Sequence, residues 1–181
     1  PVLRRVSGGG AVVHYPGNLN VSVATLAEEA GPAQSAFARF VAGLAAGLEG
    51  LGVAARAEGR LVSVCGGKVS GAAQARRGAG VLVHGTVLVA PAPLALESLL
   101  LAMQPGYAPR GTASQPRRTV TIRETLGRSV GLAEVAIAVT RGLASAFGCG
   151  WTPGELTREE LRRADDLEAT RYRRREWNES R

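Results

Sequence analysis

Apolar and polar positions change period several times along the chain, and each change marks an element. Leu19-Asn20-Val21-Ser22-Val23 alternates with period two, the pattern of a strand with one buried face. Before it, Val2 to Val6 alternates weakly into Ser7-Gly8-Gly9-Gly10, Ala11 to His14 reads as a second short strand, and Pro16-Gly17-Asn18 as a turn. From Pro32, suited to a first helical turn, Phe37, Phe40, Val41, Leu44 and Leu48 recur at helical spacing until Gly50 and Gly52. Four extended stretches follow over 52–57, 60–65, 69–75 and 80–89, separated by glycine-containing turns. They predict an antiparallel meander with Lys68 in the turn between the second and third. Residues 94–103 predict a short apolar helix ended by Pro105, residues 104–118 a mobile loop rich in Pro, Gly and Arg, and Val120 with Ile122 a closing strand. Leu132, Val135, Val139, Leu143 and Phe147 lie on one face of a helix capped by Ser129 and broken at Gly148-Cys149-Gly150. Thr157-x-x-Glu160 has the form of a capping box and opens a charged helix reaching to Trp177. The fold class predicted is α+β: a mainly antiparallel sheet with packed helices, in one domain over residues 1–181.

Composition narrows the classes. A chain of 181 residues with 45% apolar and 20% charged residues has the balance of a globular domain, and excludes collagen, coiled coil and long disorder. The formal charge of +7 points to an anionic partner, and its distribution decides which kind. Residues 151–181 carry eight Arg and eight acids, so the run Arg171, Arg173, Arg174, Arg175 reads as a solvated helix face. The excess lies in residues 51–150, where eleven basic residues meet four acids among motifs of small residues. That pattern suits a phosphate site. With aromatic residues at 4%, base stacking is poorly served and no nucleic-acid partner is expected. Cys65 and Cys149 lie far apart without metal-ligand spacing, which excludes a zinc site and a disulfide framework and makes a cytoplasmic setting the default. Arg39, His84 and Glu97 interrupt every apolar run short of a membrane span, so no membrane partner is expected. Pro1 in place of Met, leading directly into a strand, points to an N-terminal truncation.

Three constellations carry candidate chemistry. In Arg5-Val6-Ser7-Gly8-Gly9-Gly10-Ala11-Val12-Val13-His14 the glycines expose backbone N–H donors without side-chain obstruction, as a phosphate or an adenine edge requires, and Arg5 adds a charge-assisted contact. A plain glycine-rich hairpin has the same pattern. In Gly66-Gly67-Lys68-Val69-Ser70-Gly71-Ala72-Ala73-Gln74 a lysine among small residues has room to enter a pocket, where its ammonium polarises a carbonyl and neutralises a phosphate. An exposed turn lysine is the bland reading, but Arg fills the other 21 of the 22 basic positions, so a lone Lys between two glycine-rich turns is weighted toward function. His84-Gly85-Thr86 interrupts an apolar strand; His84 is either a satisfied core histidine or lines the same pocket.

RRVSGGGAVVH followed by PGNLN, then GGKVSGAAQARR, then LVHGT, in this order and spacing, resemble the catalytic domain of the lipoate-protein ligase A family, within the biotin and lipoate ligase superfamily. The resemblance runs on to Leu161–Asn178. It implies the fold of class II aminoacyl-tRNA synthetases and biotin synthetases. It also implies a two-step reaction using ATP and Mg²⁺: lipoate is activated as lipoyl-AMP, and a lysine amine of an acceptor domain displaces AMP. The acceptors implied are lipoyl domains of 2-oxoacid dehydrogenases or the glycine cleavage H protein, with a separate accessory subunit as a further partner. Lys68 matches the family's essential lysine. Arg5, Ser7 and Gly8 to Gly10 match the loop around the adenylate, Val12 and Val13 the edge near adenine, and His14, Asn18, Ser70, Ala73, His84 and Thr86 further pocket positions. Two departures stand out. Tyr15 replaces the acid that many members carry after the motif histidine, so the metal is expected to be held through phosphates and water. The C-terminal accessory domain of larger ligases and the N-terminal elements before the RR motif have no counterpart in these residues. The alternative is an octanoyl transferase acting from an acyl carrier protein without ATP. Those relatives place a nucleophilic cysteine in a loop well upstream of the lysine, whereas Cys65 stands three residues before Lys68.

Overall fold

The computed structural model describes residues 2–108 and 117–179, which fall into two compact units. The larger is Ser7–Gly150. The smaller joins residues up to Val6 with those from Trp151 on.

In the larger unit the alternating apolar positions form one antiparallel five-stranded sheet: β1 (Asn18–Leu26), β2 (Ala55–Glu58), β3 (Leu61–Val64), β4 (Gly67–Arg77) and β5 (Gly80–Leu88), in the order β1-β5-β4-β3-β2. The meander pairs each strand with the next, while β1 crosses to lie beside β5. Two long helices, α2 (Ala33–Glu49) and α5 (Leu132–Phe147), provide the core with β-face valines; α1 (Ala27–Ala30), α3 (Leu96–Leu99) and α4 (Ile122–Leu126) are short. Phe40, Leu44 and Leu48 of α2 are fully buried beside Val83, Val87 and Val89, each such side chain contributing about 1.5–3 kcal/mol relative to exposure. The α2–α5 contact is glycine-mediated: a Cβ at Gly142 would stand 2.2 Å from the Gly43 carbonyl oxygen and 2.4 Å from the Gly47 nitrogen.

Several sequence expectations change in detail. Residues 2–6 and 11–14 contain no strand. Consecutive glycines give no side chains to pack on a sheet, and the segment is held instead by individual hydrogen bonds. The closing strand at Val120 and Ile122 shrinks to one parallel bridge between Thr119 and Lys68, because the Thr121 side chain and Glu124 form a capping box that opens α4 at Ile122. Helix α5 begins at Leu132 with Gly131 as its cap in place of Ser129. Of the loop expected over 104–118, residues 109–116 lie outside the described residues.

In the smaller unit, Thr157 and Glu160 form the expected capping box at the start of α6 (Arg158–Leu167), followed by a π-helical turn over Glu168–Tyr172 and by α7 (Arg175–Asn178). Asn178 Oδ1 accepts from the Arg4 backbone N–H, and Trp177 Nε1 donates to the Arg4 carbonyl. Among the described residues, no helix is long and apolar enough to cross a membrane.

Candidate active site

The sheet has one face packed on α2 and α5 and a second, polar face. Val81, Val83, Val87 and Val89 of β5 and Val21 and Val23 of β1 belong to the helix-packed face. By alternation, His84 and Thr86 stand on the other, with Asn20 and Ser22 of β1 opposite them and Gly71 and Ala73 of β4 on their other flank. Counting back from Ala73 and Gly71 in steps of two would put Val69 on this polar face and Lys68 among the valines. A β-bulge reverses that. Val62 pairs with Ser70 and Ser63 with Lys68, so Val69 is an extra residue opposite β3. Val69 is fully buried in the core, and Lys68 emerges on the polar face beside Ser63.

Two features give Lys68 its place there. Its backbone is held by the 118–120 segment, Lys68 N donating to the Arg118 carbonyl at 2.8 Å and accepting at its own carbonyl from Val120 N at 3.1 Å. Its side chain runs across Gly71, so closely that a Cβ there would lie 2.7 Å from both Cε and Nζ. The lysine therefore belongs to β4 and not to the turn, which Cys65 and Gly66 make with left-handed φ of +48° and +73°.

The glycine-rich segment is pinned to the same face at two points. Ser7 Oγ lies 2.6 Å from His84 Nε2, within hydrogen-bond distance, and Asn18 Nδ2 donates to the Val13 carbonyl at 3.0 Å. Ser7 is buried and His84 half-buried. Between the pins, Gly9 takes φ +104° and Val12 and His14 are exposed. Gly17 closes the segment at φ +135°, where a Cβ would meet Ala90 at 3.1 Å. Tyr15, which follows the motif histidine, donates its hydroxyl to the Ala90 carbonyl. Burial, then the negative field of Glu124, raises the pKa of that phenol.

The structure thus brings Ser7, Lys68, Ala73, His84 and Thr86 to one face, with Asn18 tying down the loop that carries Gly8–Gly10, Val12, Val13 and His14. Ser70 is placed otherwise: it pairs with the core residue Val87 and is 2% exposed, and its Oγ finds no hydrogen-bond partner among the described residues. Arg5 belongs to the smaller unit, where burial lowers its pKa. Sequence reasoning missed Asn20, whose Oδ1 accepts from Thr86 Oγ1 at 3.0 Å, and the support that residues 118–120 give Lys68. Asn20 was legible as a polar position of an alternating strand; the 118–120 support leaves no periodic signal.

At the β2–β3 end of this face a cleft is lined by Ala54, Arg56, Glu58, Ser63, Cys65 and Gly66. Glu58 accepts from Ser63 Oγ and from Arg117, and these partners hold its carboxyl below the usual range. Among the described residues no three His, Cys, Asp or Glu side chains gather to hold a metal ion. The face offers a fixed cation, hydroxyl and imidazole groups and a glycine backbone, a set that neutralises and orients an acyl phosphate.

The model of the lipoyl protein ligase A/B catalytic domain matches residues 1–144. Lipoate-protein ligase LplJ of Bacillus subtilis is 31% identical over 179 residues, covering 98% of this chain and 54% of LplJ. Octanoyltransferase LipM of Brevibacillus brevis is 38% identical over 113 residues, 62% of this chain and 41% of LipM. The chain spans about half the length of these curated relatives. A solved bipartite lipoate protein ligase, studied with its E2 lipoyl domain from Thermoplasma acidophilum, superposes with a TM-score of 0.78 at 26% identity over 98% of this chain and 69% of that one.

Proposed function

The chain belongs to the lipoyl protein ligase A/B catalytic domain family, and from that premise we propose that it is an ATP-dependent lipoate-protein ligase. The lipoate carboxylate attacks the α-phosphate of ATP and releases pyrophosphate; a lysine amine then attacks the acyl carbon of lipoyl-AMP and releases AMP. The observation that carries this reading is the Lys68 ammonium laid across Gly71 on the same sheet face to which the Ser7–His84 contact ties the glycine loop. An anionic pentacoordinate phosphate needs preorganised positive charge and backbone donors, and Lys68 with Gly8–Gly10 supplies both types of group. The edge formed by exposed Val12 and half-buried Val13 would take adenine, while His14, Asn18, Ala73 and Thr86 would shape the acyl and nucleotide pocket. Arg5 and Ser70 are assigned there on the family pattern alone.

The side chains present do not fit a protein-held magnesium ion, since no carboxylate cluster stands on this face among the described residues. Mg²⁺ would enter as part of the MgATP substrate. The acceptor would be a lipoyl domain of a 2-oxoacid dehydrogenase or the glycine cleavage H protein. A separate accessory subunit is in keeping with the bipartite ligase that this chain resembles. The test is pyrophosphate release from ATP, Mg²⁺ and lipoate, together with acceptor modification, with and without a candidate accessory subunit. Neither occurring in any combination would exclude ligase activity.

One observation favours a second reading: 38% identity to an octanoyltransferase over 113 residues. Cys65 is exposed at the turn before Lys68. Octanoyl transfer from acyl carrier protein without ATP, abolished in Cys65→Ala, would establish it.

A further inference from the structure

Transfer to an acceptor poses a proton problem that the ligase reading leaves open. A lysine side chain arrives as an ammonium and must lose a proton before its nitrogen can attack. Among the described residues of this unit, the polar face around Lys68 carries few bases. From β1 it is faced by Asn18, Asn20 and Ser22, from β4 by Gly71 and Ala73 with the cations of Lys68 and, toward the hairpin, Arg77, and from the glycine loop by Ser7. Of the carboxylates of this unit, Glu58 at the far end of the sheet is engaged by Ser63 and Arg117, and Glu124 by the backbone N–H and hydroxyl of Thr121. Of the two histidines, His14 is exposed in the loop and His84 stands on the face itself.

We propose that Ser7 and His84 form a proton relay for the second step, Ser7 Oγ meeting the incoming amine and His84 Nε2, 2.6 Å behind it, accepting the proton. The inference rests on the ligase reading. The ammonium of the acceptor lysine gives one proton to Ser7 Oγ as the serine hydroxyl proton passes to His84 Nε2. The neutral nitrogen then attacks the acyl carbon; the C–N bond forms, the C–O bond to AMP breaks, and AMP leaves with the bonding pair on its phosphate oxygen. The second proton of the nitrogen departs to water as the adduct collapses, and the imidazolium returns its proton to water. Three features support this assignment. Ser7 directly precedes the glycines that, on the ligase reading, would cradle the acyl phosphate, so its hydroxyl belongs to the same loop. It is buried, which keeps bulk water from competing for the same hydrogen bond. Its partner is an imidazole, the side chain whose ordinary pKa, about 6.5, lets it accept a proton near neutral pH and release it again.

The test starts from preformed lipoyl-AMP, so that ATP chemistry is bypassed, and follows single-turnover transfer to a lipoyl acceptor domain over roughly pH 6 to 9. The unaltered chain is expected to show a rate that rises with His84 deprotonation and then levels. In His84→Gln transfer falls by about 10²-fold, and the rate climbs steadily with pH because only spontaneous ionisation of the lysine supplies the free amine. Ser7→Ala behaves like His84→Gln, and Ser7→Thr, which keeps the hydroxyl, recovers most of the rate. Hydroxylamine, an amine far less basic than lysine and mostly neutral at neutral pH and above, serves as a second acceptor: the variants are expected to capture far more of their bound adenylate with it than with lysine, which a misfolded or non-binding variant would not do. A levelling pH profile retained in His84→Gln, equal losses with lysine and hydroxylamine, or an acyl group found on Ser7 by mass spectrometry overturns the relay. No transfer by the unaltered chain removes the ligase premise, and the relay with it.

Discussion

Lys68 works by where its ammonium is held. A guanidinium in its place is longer and planar, and it would have to lie over the same glycine, so Lys68→Arg keeps the charge and loses the position. We expect adenylate formation, measured as pyrophosphate release, to fall by at least about 10²-fold in Lys68→Arg with an unchanged unfolding midpoint. Gly71 provides the complementary experiment. An added methyl would stand 2.7 Å from the Lys68 tip, and what yields is the far end of a flexible side chain. Gly71→Ala is therefore expected to leave stability within about 1 kcal/mol while cutting pyrophosphate release by on the order of 10²-fold, since a displacement of about 1 Å costs that much in a positioned reaction. An equal loss of stability and activity would show that the glycine serves the fold instead.

At the scale of elements, the α2–α5 crossing sets the tolerance of the core. Alanine at Gly142 should help a helix by close to 1 kcal/mol through propensity. The Gly43 oxygen and Gly47 nitrogen 2.2 and 2.4 Å from its Cβ are backbone atoms that can move only by separating the helices. Overpacking wins, and Gly142→Ala is expected to destabilise by about 1–3 kcal/mol in chemical denaturation, without a change in m-value. Much at this scale was legible beforehand. The helical spacing of Phe40, Leu44 and Leu48, the period of the meander and the Thr157–Glu160 capping box all follow from local rules, and each element appeared near its expected place. What was not legible depended on partners distant in sequence. Ile122 has strand propensity, yet the Thr121–Glu124 box claims it for a helix; Lys68 reads as a turn residue until Arg118 and Val120 take up its backbone groups. The motif residues were visible as types, but which of them share a face was not.

For the molecule as a whole, charge bears on pH as well as on ligands. Among the described residues, three carboxyls are held below the ordinary range: Glu58 by the Ser63 hydroxyl and then Arg117, Glu134 by Arg128, and Glu160 by the Thr157 backbone N–H and hydroxyl. Folding favours their charged forms, so their contribution is complete above the unfolded value of about 4.3 and is lost as pH falls through the lower folded values. All three are at the surface, where solvent and salt weaken such pairs. We expect the unfolding midpoint to be flat from neutral pH down to roughly pH 5 and to drop below it, with the drop shallower in a variant carrying Gln at all three positions. A midpoint that rises on acidification would contradict these assignments. The bulge at Val69 has a last consequence, for comparing chains of unequal length. A relative lacking that one residue would still set its lysine against the Ser63 position, because the extra residue is the one without a β3 partner. A gap between Gly71 and Ala73, the residue paired with His84, would instead put the lysine out of phase with His84. Length variation next to the lysine therefore keeps it on the polar face, at the cost of one buried valine, while the same variation a few residues later moves it off that face.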